Sequence, residues 1–213
     1  SEKIKNFILD NFARHQKNII QEAINRFGIS RQAIHKHMNR LINDNKVMAF
    51  GTTKGRYYEL IPAVNFNKSI DINQNSTPEL IFKDFIQPHI KVLSKNLYEI
   101  FEFSTCALIT NVCDHSNAIK LYFKIFITHE EAHFIISDNG TGIFEDIKLK
   151  QHLQNERLAA LELAKGSIAI DPNDRSGEEL KLICYLFDNV TIESSGKSLT
   201  FNNNDEEWLI DDS

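Results

Sequence analysis

The run from Phe27 to Val47 constrains this chain most, because a glycine turn there separates two short segments of helical apolar spacing. Ile34, Met38, Leu41 and Ile42 recur at three- and four-residue intervals, which predicts an inward stripe on a helix from Arg31 to Asn43. Ser30 can accept a hydrogen bond from the first turn of that helix and so fixes its start. Phe27-Gly28-Ile29 closes the preceding helix, roughly Ile19 to Arg26, and turns the chain. Ile4, Phe7, Ile8 and Phe12 predict an earlier helix over Glu2 to His15. After Asn45 the pattern changes: Val47–Phe50 and Arg56–Leu60 predict two strands, and Gly51-Thr52-Thr53-Lys54-Gly55 suits the hairpin between them.

Three helices followed by a basic hairpin is the layout of a winged helix-turn-helix. Ala33 is small where the second and third helices cross. The inward stripe leaves Arg31, Gln32, His35, Lys36 and Asn39 facing out, with Ser30 at the helix start. Arg suits guanine, Gln and Asn suit adenine, and Lys suits phosphate. Lys54 and Arg56 on the wing are placed to reach flanking phosphates. These eight residues are the candidate contacts to double-stranded DNA. The stretch GISRQAIHKHMNRLINDNKV resembles the helix-turn-helix of bacterial winged-helix regulators. A winged helix used for protein contacts is the competing reading, and the basic outer face favours DNA. His35 and His37, two residues apart, point to different faces of a helix and do not make a metal pair.

Charge divides along the chain. Ser1 to Pro62 holds 11 Lys and Arg against 5 Asp and Glu, a net +6; the remainder holds 13 against 24, a net −11. A basic head on an acidic body implies that only the head meets a polyanion. Cys106, Cys113 and Cys184 show no CxxC spacing and read as reduced cytosolic thiols. Cys113 lies near His115, but a nucleophilic pair needs an orienting partner that the sequence does not offer. No apolar run approaches the ~18–20 residues needed to span a bilayer. SEKIKNFILD lacks a signal peptide's apolar core, so the chain is expected in the cytoplasm, and Ser1 reads as the scar of a cleaved or excised fragment.

Residues 63–77, polar and Asn-rich, read as a linker between a winged-helix domain (1–62) and a second domain (78–213). That second domain is expected to be helical from Pro78 to Phe103 with a break near Pro88, and again from Ser104 to His115. Ala118–Thr128 and Glu131–Ser137 alternate as strands. Helices near Glu156–Leu163 and Glu178–Phe187 and strands near Val190–Glu193 and Ser198–Phe201 follow. The fold class is α+β. The tail Asp205–Asp212 alternates acids with apolar anchors and reads as a solvated end, with a docking strand as the alternative.

Two stretches carry a chemical hypothesis. Thr110-Asn111-Val112-Cys113-Asp114-His115-Ser116 ends a helix, and Ile135-Ile136-Ser137-Asp138-Asn139-Gly140-Thr141-Gly142-Ile143 follows a strand. Asp138 could accept an adenine amino group, with Gly140 and Gly142 letting backbone approach the base. The Asn111 amide oxygen suits Mg²⁺, which takes oxygen ligands and bridges phosphates. His115, His129 and His133 match no metal-ligand spacing.

These segments resemble the N box and first glycine box of the GHKL ATPases, closest to histidine-kinase-like domains of the anti-sigma-factor type. ISDNGTGIFEDI, RLAALELAKGSIAIDP and DRSGEELKLICYLFDNVTIESSGKSLTF look like a bacterial and archaeal family with a winged helix before such a domain, in which a small STAS-like domain often follows. The resemblance implies a GHKL-like α/β sandwich, an antiparallel or mixed sheet covered by helices on one face. It implies an ATP or ADP site with Mg²⁺ built from Asn111, Asp114, His115, Asp138, Gly140, Gly142, Lys165, Ser176 and Gly177, with Asn111 on the metal. The chain departs from the pattern. Ala107 stands where the family carries the glutamate that activates water, which leaves no catalytic residue there. Glu179 stands where a phosphate-facing glycine is expected, and Ala169-Ile170 replaces a hydroxyl pair in the lid. The expectation is therefore a homodimeric regulator that binds nucleotide without efficient turnover and can engage a regulatory protein. The alternatives are an ATPase or anti-sigma-like Ser/Thr kinase with a docking winged helix, and a pseudo-ATPase platform.

Overall fold

In the computed structural model, which describes residues 1–12, 15, 18–52, 55–73, 75–165 and 176–212, the chain divides into two units. The first is Ser1–Asn67 with Lys124–Phe134, the second Lys68–Phe123 with Ile135–Ser213. The architecture is α+β with antiparallel strand pairing.

The first unit opens with α1 (Glu2–Asp10), α2 (Ile19–Phe27) and α3 (Arg31–Asn43). α3 occupies the span its apolar spacing predicts. α1 stops at Asp10 and not at His15; there the side-chain amide of Asn11 donates to the Phe7 carbonyl at 2.9 Å, and a short polar side chain that takes a helical carbonyl competes with further turns. α2 ends on Gly28, whose φ of +62° lies in the left-handed region that glycine tolerates. The Ser30 side chain accepts from the Ala33 N–H at 3.2 Å and starts α3. Ile4, Ile8, Leu9, Phe12, Ile19, Ala23, Ile34, Met38 and Leu41 close one core with Val47 and Tyr58 of the hairpin β1 (Val47–Phe50) and β2 (Tyr57–Leu60). Each large side chain buried this way contributes roughly 1.5–3 kcal/mol. β1 and β2 are antiparallel, Phe50 opposite Tyr57, with the two rings stacked at 5.2 Å.

The stretch read as a linker carries β3 (Val64–Asp71). Its composition is polar, but Val64, Phe66 and Ile70 alternate with exposed Asn65, Asn67 and Asp71, the period of a half-buried strand. β3 pairs with β4 (Lys120–Ile127), which pairs with β5 (Ala132–Asp138). The link of residues 128–131 is too short for a crossover, so β4 and β5 form an antiparallel hairpin.

In the second unit, α4 (Pro78–Ile81) runs into a π-helical turn (Phe82–Ile86) and then α5 (Gln87–Ile90). Pro88 has no N–H and its ring crowds the preceding turn, which accounts for the irregular ladder where a break was expected. α6 (Lys95–His115) runs 21 residues without the interruption expected between Phe103 and Ser104. Ser104 and Thr105 look like a helix start in sequence, but both are buried, and the Thr105 hydroxyl bonds back to the Phe101 carbonyl inside the helix. The Ser104 hydroxyl is fully buried and has no hydrogen-bond partner among the described residues. Removing an unsatisfied buried hydroxyl recovers its desolvation cost. Ser104→Ala is expected to raise stability by about 1 kcal/mol, read as a higher urea midpoint; a lower midpoint would mean the hydroxyl is satisfied.

α7 (Ile143–Lys150) has no counterpart among the elements expected from sequence. Its N-cap is Gly142, which offers no side-chain acceptor, so the usual start signal is missing. α8 (Glu156–Lys165) and α9 (Ser176–Leu186) precede a meander of β6 (Asn189–Ser194), β7 (Lys197–Asn202) and β8 (Glu207–Asp212), paired in that order. Ile192, Leu199 and Ile210 lie in one cross-strand row and join a core of Phe144, Ile147, Ala159, Ala160, Leu163 and Leu180. The acidic tail is therefore not a solvated end: its residues from Glu207 form β8 on the chain's own β7, with Trp208 against Phe201 at 4.8 Å. The docking-strand alternative had the right conformation.

Lys148 joins α7 to the start of α8, reaching Glu145 at 2.5 Å and Glu156 at 2.7 Å. Its hydrogen bond holds the Glu156 carboxyl down at about 2 from an ordinary 4.5. A depressed folded value stabilises at pH above the unfolded one and is lost as pH falls through the folded one. The α7–α8 junction is thus expected to weaken between pH 4.5 and about 2, seen as lower amide protection there relative to an unstructured peptide at the same pH; protection that is flat across this window would refute it.

Candidate functional site

On α3, Arg31, Gln32, Lys36, Asn39 and Arg40 are exposed, while Ile34, Met38 and Leu41 are buried. The buried side chains seat the helix, and the outer face is left polar and basic. Arg31 donates from Nη2 to the Gln21 Oε1 of α2 at 3.4 Å, and Gln21 donates in turn to Asn25 at 3.0 Å. The two helices therefore share a polar surface beside their turn. Ser30, expected as a contact, is exposed and acts as the cap of α3. His35 is half-buried, less open than its predicted outward position. On the hairpin, Arg56 is exposed and lies over the Tyr58 ring at 5.4 Å, which restricts where the guanidinium can swing. Lys54 lies outside the described residues.

His37 does not pair with His35. Its Nε2 lies 3.3 Å from the Ser1 amine, and burial, with the nearby positive charges, lowers its pKa. Also in the first unit, the β4–β5 tip lies against the end of α1. His129 Nε2 meets Asp10 Oδ1 at 2.8 Å, and Glu130 Oε1 accepts from the Phe12 N–H at 3.0 Å. Thr128 Oγ1 accepts from the Glu130 and Glu131 N–H groups and holds the tip in shape.

In the second unit, the two stretches singled out in the sequence are joined directly. The Thr141 N–H donates to the Ser116 carbonyl at 2.8 Å, and the Thr141 hydroxyl reaches the same oxygen at 3.3 Å. Asn139 Oδ1 accepts from both the Ile119 and Lys120 N–H groups, at 3.1 and 2.9 Å. Asp138 Oδ1 accepts from the Gly140 N–H at 2.8 Å. The end of α6, the start of β4 and the end of β5 thus share one knot of hydrogen bonds.

The glycines have a role not expected from sequence. A Cβ on Gly140 would stand 2.1 Å from the Ser116 carbonyl oxygen. One on Gly142, at φ +86°, would stand 2.5 Å from the Ser194 hydroxyl. Both therefore permit close approach to other protein segments, and the space on their Cβ side is filled by protein and not open to an adenine. Asp138 is exposed, with one carboxylate oxygen engaged by Gly140, so it keeps capacity for a further donor.

Asn111 is half-buried on the last turns of α6, Asp114 is exposed and His115 is half-buried. A single amide oxygen is compatible with Mg²⁺, which draws most of its ligands from phosphate and water. Among the described residues no group of three or more His, Cys, Asp or Glu could hold a metal. Ala107 is buried, with no carboxylate to activate water. Lys165 pairs with Glu162 at 2.5 Å. Gly177 is half-buried in the first turn of α9, and Ser176 begins that helix. The lid residues Ala169, Ile170, Asp171 and Pro172 lie outside the described residues.

All three cysteines are free. Burial pushes Cys106 and Cys184 up to about 11, with Glu79 and Glu102 adding to the effect on Cys106. Burial and Asp114 raise Cys113. A nucleophilic cysteine requires the opposite shift. Sequence reasoning missed Ser116 and Asn139 as partners in the knot and Ser194 as the neighbour of Gly142, because each works through close contacts that no periodicity reports. No helix among the described residues is long and apolar enough to cross a membrane. Comparison of the chain with family models, curated proteins and solved structures returns no match.

Proposed function

We propose that the chain is a cytoplasmic DNA-binding transcription regulator: a winged helix-turn-helix joined to a GHKL-like body that takes ATP or ADP with Mg²⁺ but does not turn it over efficiently. The observation that carries the first half is the outer face of α3. Arg31, Gln32, Lys36 and Asn39 stand exposed on a helix whose opposite side is locked into an apolar core. Groove readout needs that combination of base-reading side chains on a rigid helix. The basic head and acidic body favour one polyanion-binding end. Three free thiols support a reducing compartment.

The test is a salt titration of binding to duplex DNA. Affinity should fall steeply as salt rises, because phosphate contacts release counterions. Arg31→Ala should weaken the best site by about 1–3 kcal/mol and random duplex less. Salt-insensitive or absent binding would sink the DNA reading in favour of a docking module.

For the body, the support is the joining of the Asn111 helix end to the Asp138 turn through Ser116 and Thr141, with Asp138 still exposed. Calorimetric titration with ATP and a non-hydrolysable analogue, with and without Mg²⁺, should give binding that weakens on Asn111→Ala. Phosphate release lost in the same variant would instead support the ATPase reading. A second reading, the pseudo-ATPase platform, is favoured by the filled space beside Gly140 and Gly142; absence of heat with either nucleotide would select it. Homodimerisation belongs to the same proposal, since two-fold operators are read by paired winged helices.

A further inference from the structure

We propose that Asn139-Gly140 is a self-modifying site, at which the Asn139 side-chain amide is converted to an acid by the chain's own turn. This is independent of whether the turn also holds a nucleotide. It is the single Asn-Gly pair in the sequence, and three of its contacts match what the reaction requires. The nucleophile is the Gly140 backbone nitrogen, with no side chain to hinder its approach to the neighbouring amide. Its N–H lies 2.8 Å from Asp138 Oδ1, within reach of a base. The electrophile is Cγ of Asn139, whose Oδ1 accepts two backbone N–H groups, from Ile119 and Lys120, at 3.1 and 2.9 Å. Paired backbone donors on a carbonyl oxygen stabilise the negative charge that develops there on attack. Asn139 and Asp138 are both exposed, so water reaches the product.

The bonds balance without any outside oxidant or reductant. Gly140 nitrogen forms a bond to Asn139 Cγ as Asp138 takes its proton, and the charge passes to Oδ1. When that tetrahedral centre collapses, the bond from Cγ to Nδ2 breaks. Nδ2 takes the proton back from Asp138 and leaves as ammonia, and a five-membered imide closes. Water then adds to one of the two imide carbonyls and opens the ring. The product is aspartate where the ring opens at the main-chain nitrogen–side-chain carbonyl bond, and isoaspartate where it opens at the other.

The fold also keeps the reactive pair in place. A Cβ at position 140 would meet the Ser116 carbonyl oxygen at 2.1 Å, so no bulkier residue can follow Asn139 to slow the attack. Aspartate would preserve the acceptor for Ile119 and Lys120 and add a negative charge beside Asp138. Isoaspartate would add a methylene to the main chain and shift Gly140 off Ser116.

The experiment is peptide mapping by mass spectrometry of the full chain, incubated in mildly alkaline buffer either native or unfolded in urea. Conversion of Asn139 should be faster in the native chain. Asp138→Asn should slow the native rate on the order of tenfold or more, the scale of a lost general base, and leave the unfolded rate unchanged. A native rate at or below the unfolded rate overturns the proposal, because the fold would then protect the amide. Equal native rates in the parent and Asp138→Asn overturn it too. The native-against-unfolded comparison needs no variant, so poor folding of Asp138→Asn leaves the test intact.

Discussion

Gly140→Ala should destabilise the second unit by about 3 kcal/mol or more. The added methyl would sit 2.1 Å from the Ser116 oxygen, 2.7 Å from its carbonyl carbon and 2.7 Å from its Cβ. Two of these are backbone atoms, which cannot swing aside as the end of a flexible side chain can. Relief requires moving the end of α6 away from the turn, and that movement breaks the bonds from Thr141 to Ser116 and strains those from Ile119 and Lys120 to Asn139. Gly28→Ala makes the useful comparison. Gly28 has φ +62°, and a methyl added there would meet nothing within 4 Å, so only the left-handed backbone cost of about 1–2 kcal/mol applies. Urea unfolding of the two variants should give the larger midpoint loss for Gly140→Ala. Equal losses would mean that the approach to Ser116 relaxes freely.

Met38→Ala should cost about 2–5 kcal/mol, the range for truncating a buried large aliphatic side chain that leaves a cavity. Met38 is fully buried on α3, between Ile34 and Leu41 in the spacing and within one core with α1, α2 and the hairpin. Lys36→Ala, two residues away on the exposed face, should change stability by less than about 0.5 kcal/mol while weakening DNA binding. The pair separates the seating of α3 in its core from the DNA contact proposed for its outer face. Met38→Ala is read by the unfolding midpoint and by faster amide exchange in α1–α3, and Lys36→Ala by affinity at fixed salt. A stable Met38→Ala chain would mean α3 is not seated as described.

In the first unit, α3 and β1 were legible because each carries its own signal. α3 has a serine cap, a glycine before it and a clean apolar stripe, and both of its ends fall where these predict. β1 is bounded equally well. Elsewhere the deciding interaction is remote. β3 looked like linker because its outward residues are polar, and only pairing with β4 shows the alternation to matter. α7 lacks a capping side chain, because Gly142 is held by its approach to Ser194 and cannot carry one. The acidic tail becomes a strand through Trp208 and Ile210 against β7, and its charges point elsewhere. For the site, the structure places the two motif stretches in direct contact. What the sequence did not convey is that Gly140, Gly142 and Asn139 are committed to internal contacts, since a glycine needed for packing and one needed for a ligand are written alike.

The hairpin tip at residues 128–131 has a consequence for how the first unit is made. Its contacts with Asp10 and Phe12 join residues 119 and 118 positions apart. On the ribosome, the three helices and the β1–β2 hairpin emerge long before that tip exists, and they can collapse on their own local contacts. The end of α1 must then wait for more than a hundred further residues before its last partners arrive, because contacts of such long range form late. A nascent chain stalled just short of the tip should therefore already hold a compact head whose first helix frays at its far end, and extension by a few residues should tighten it.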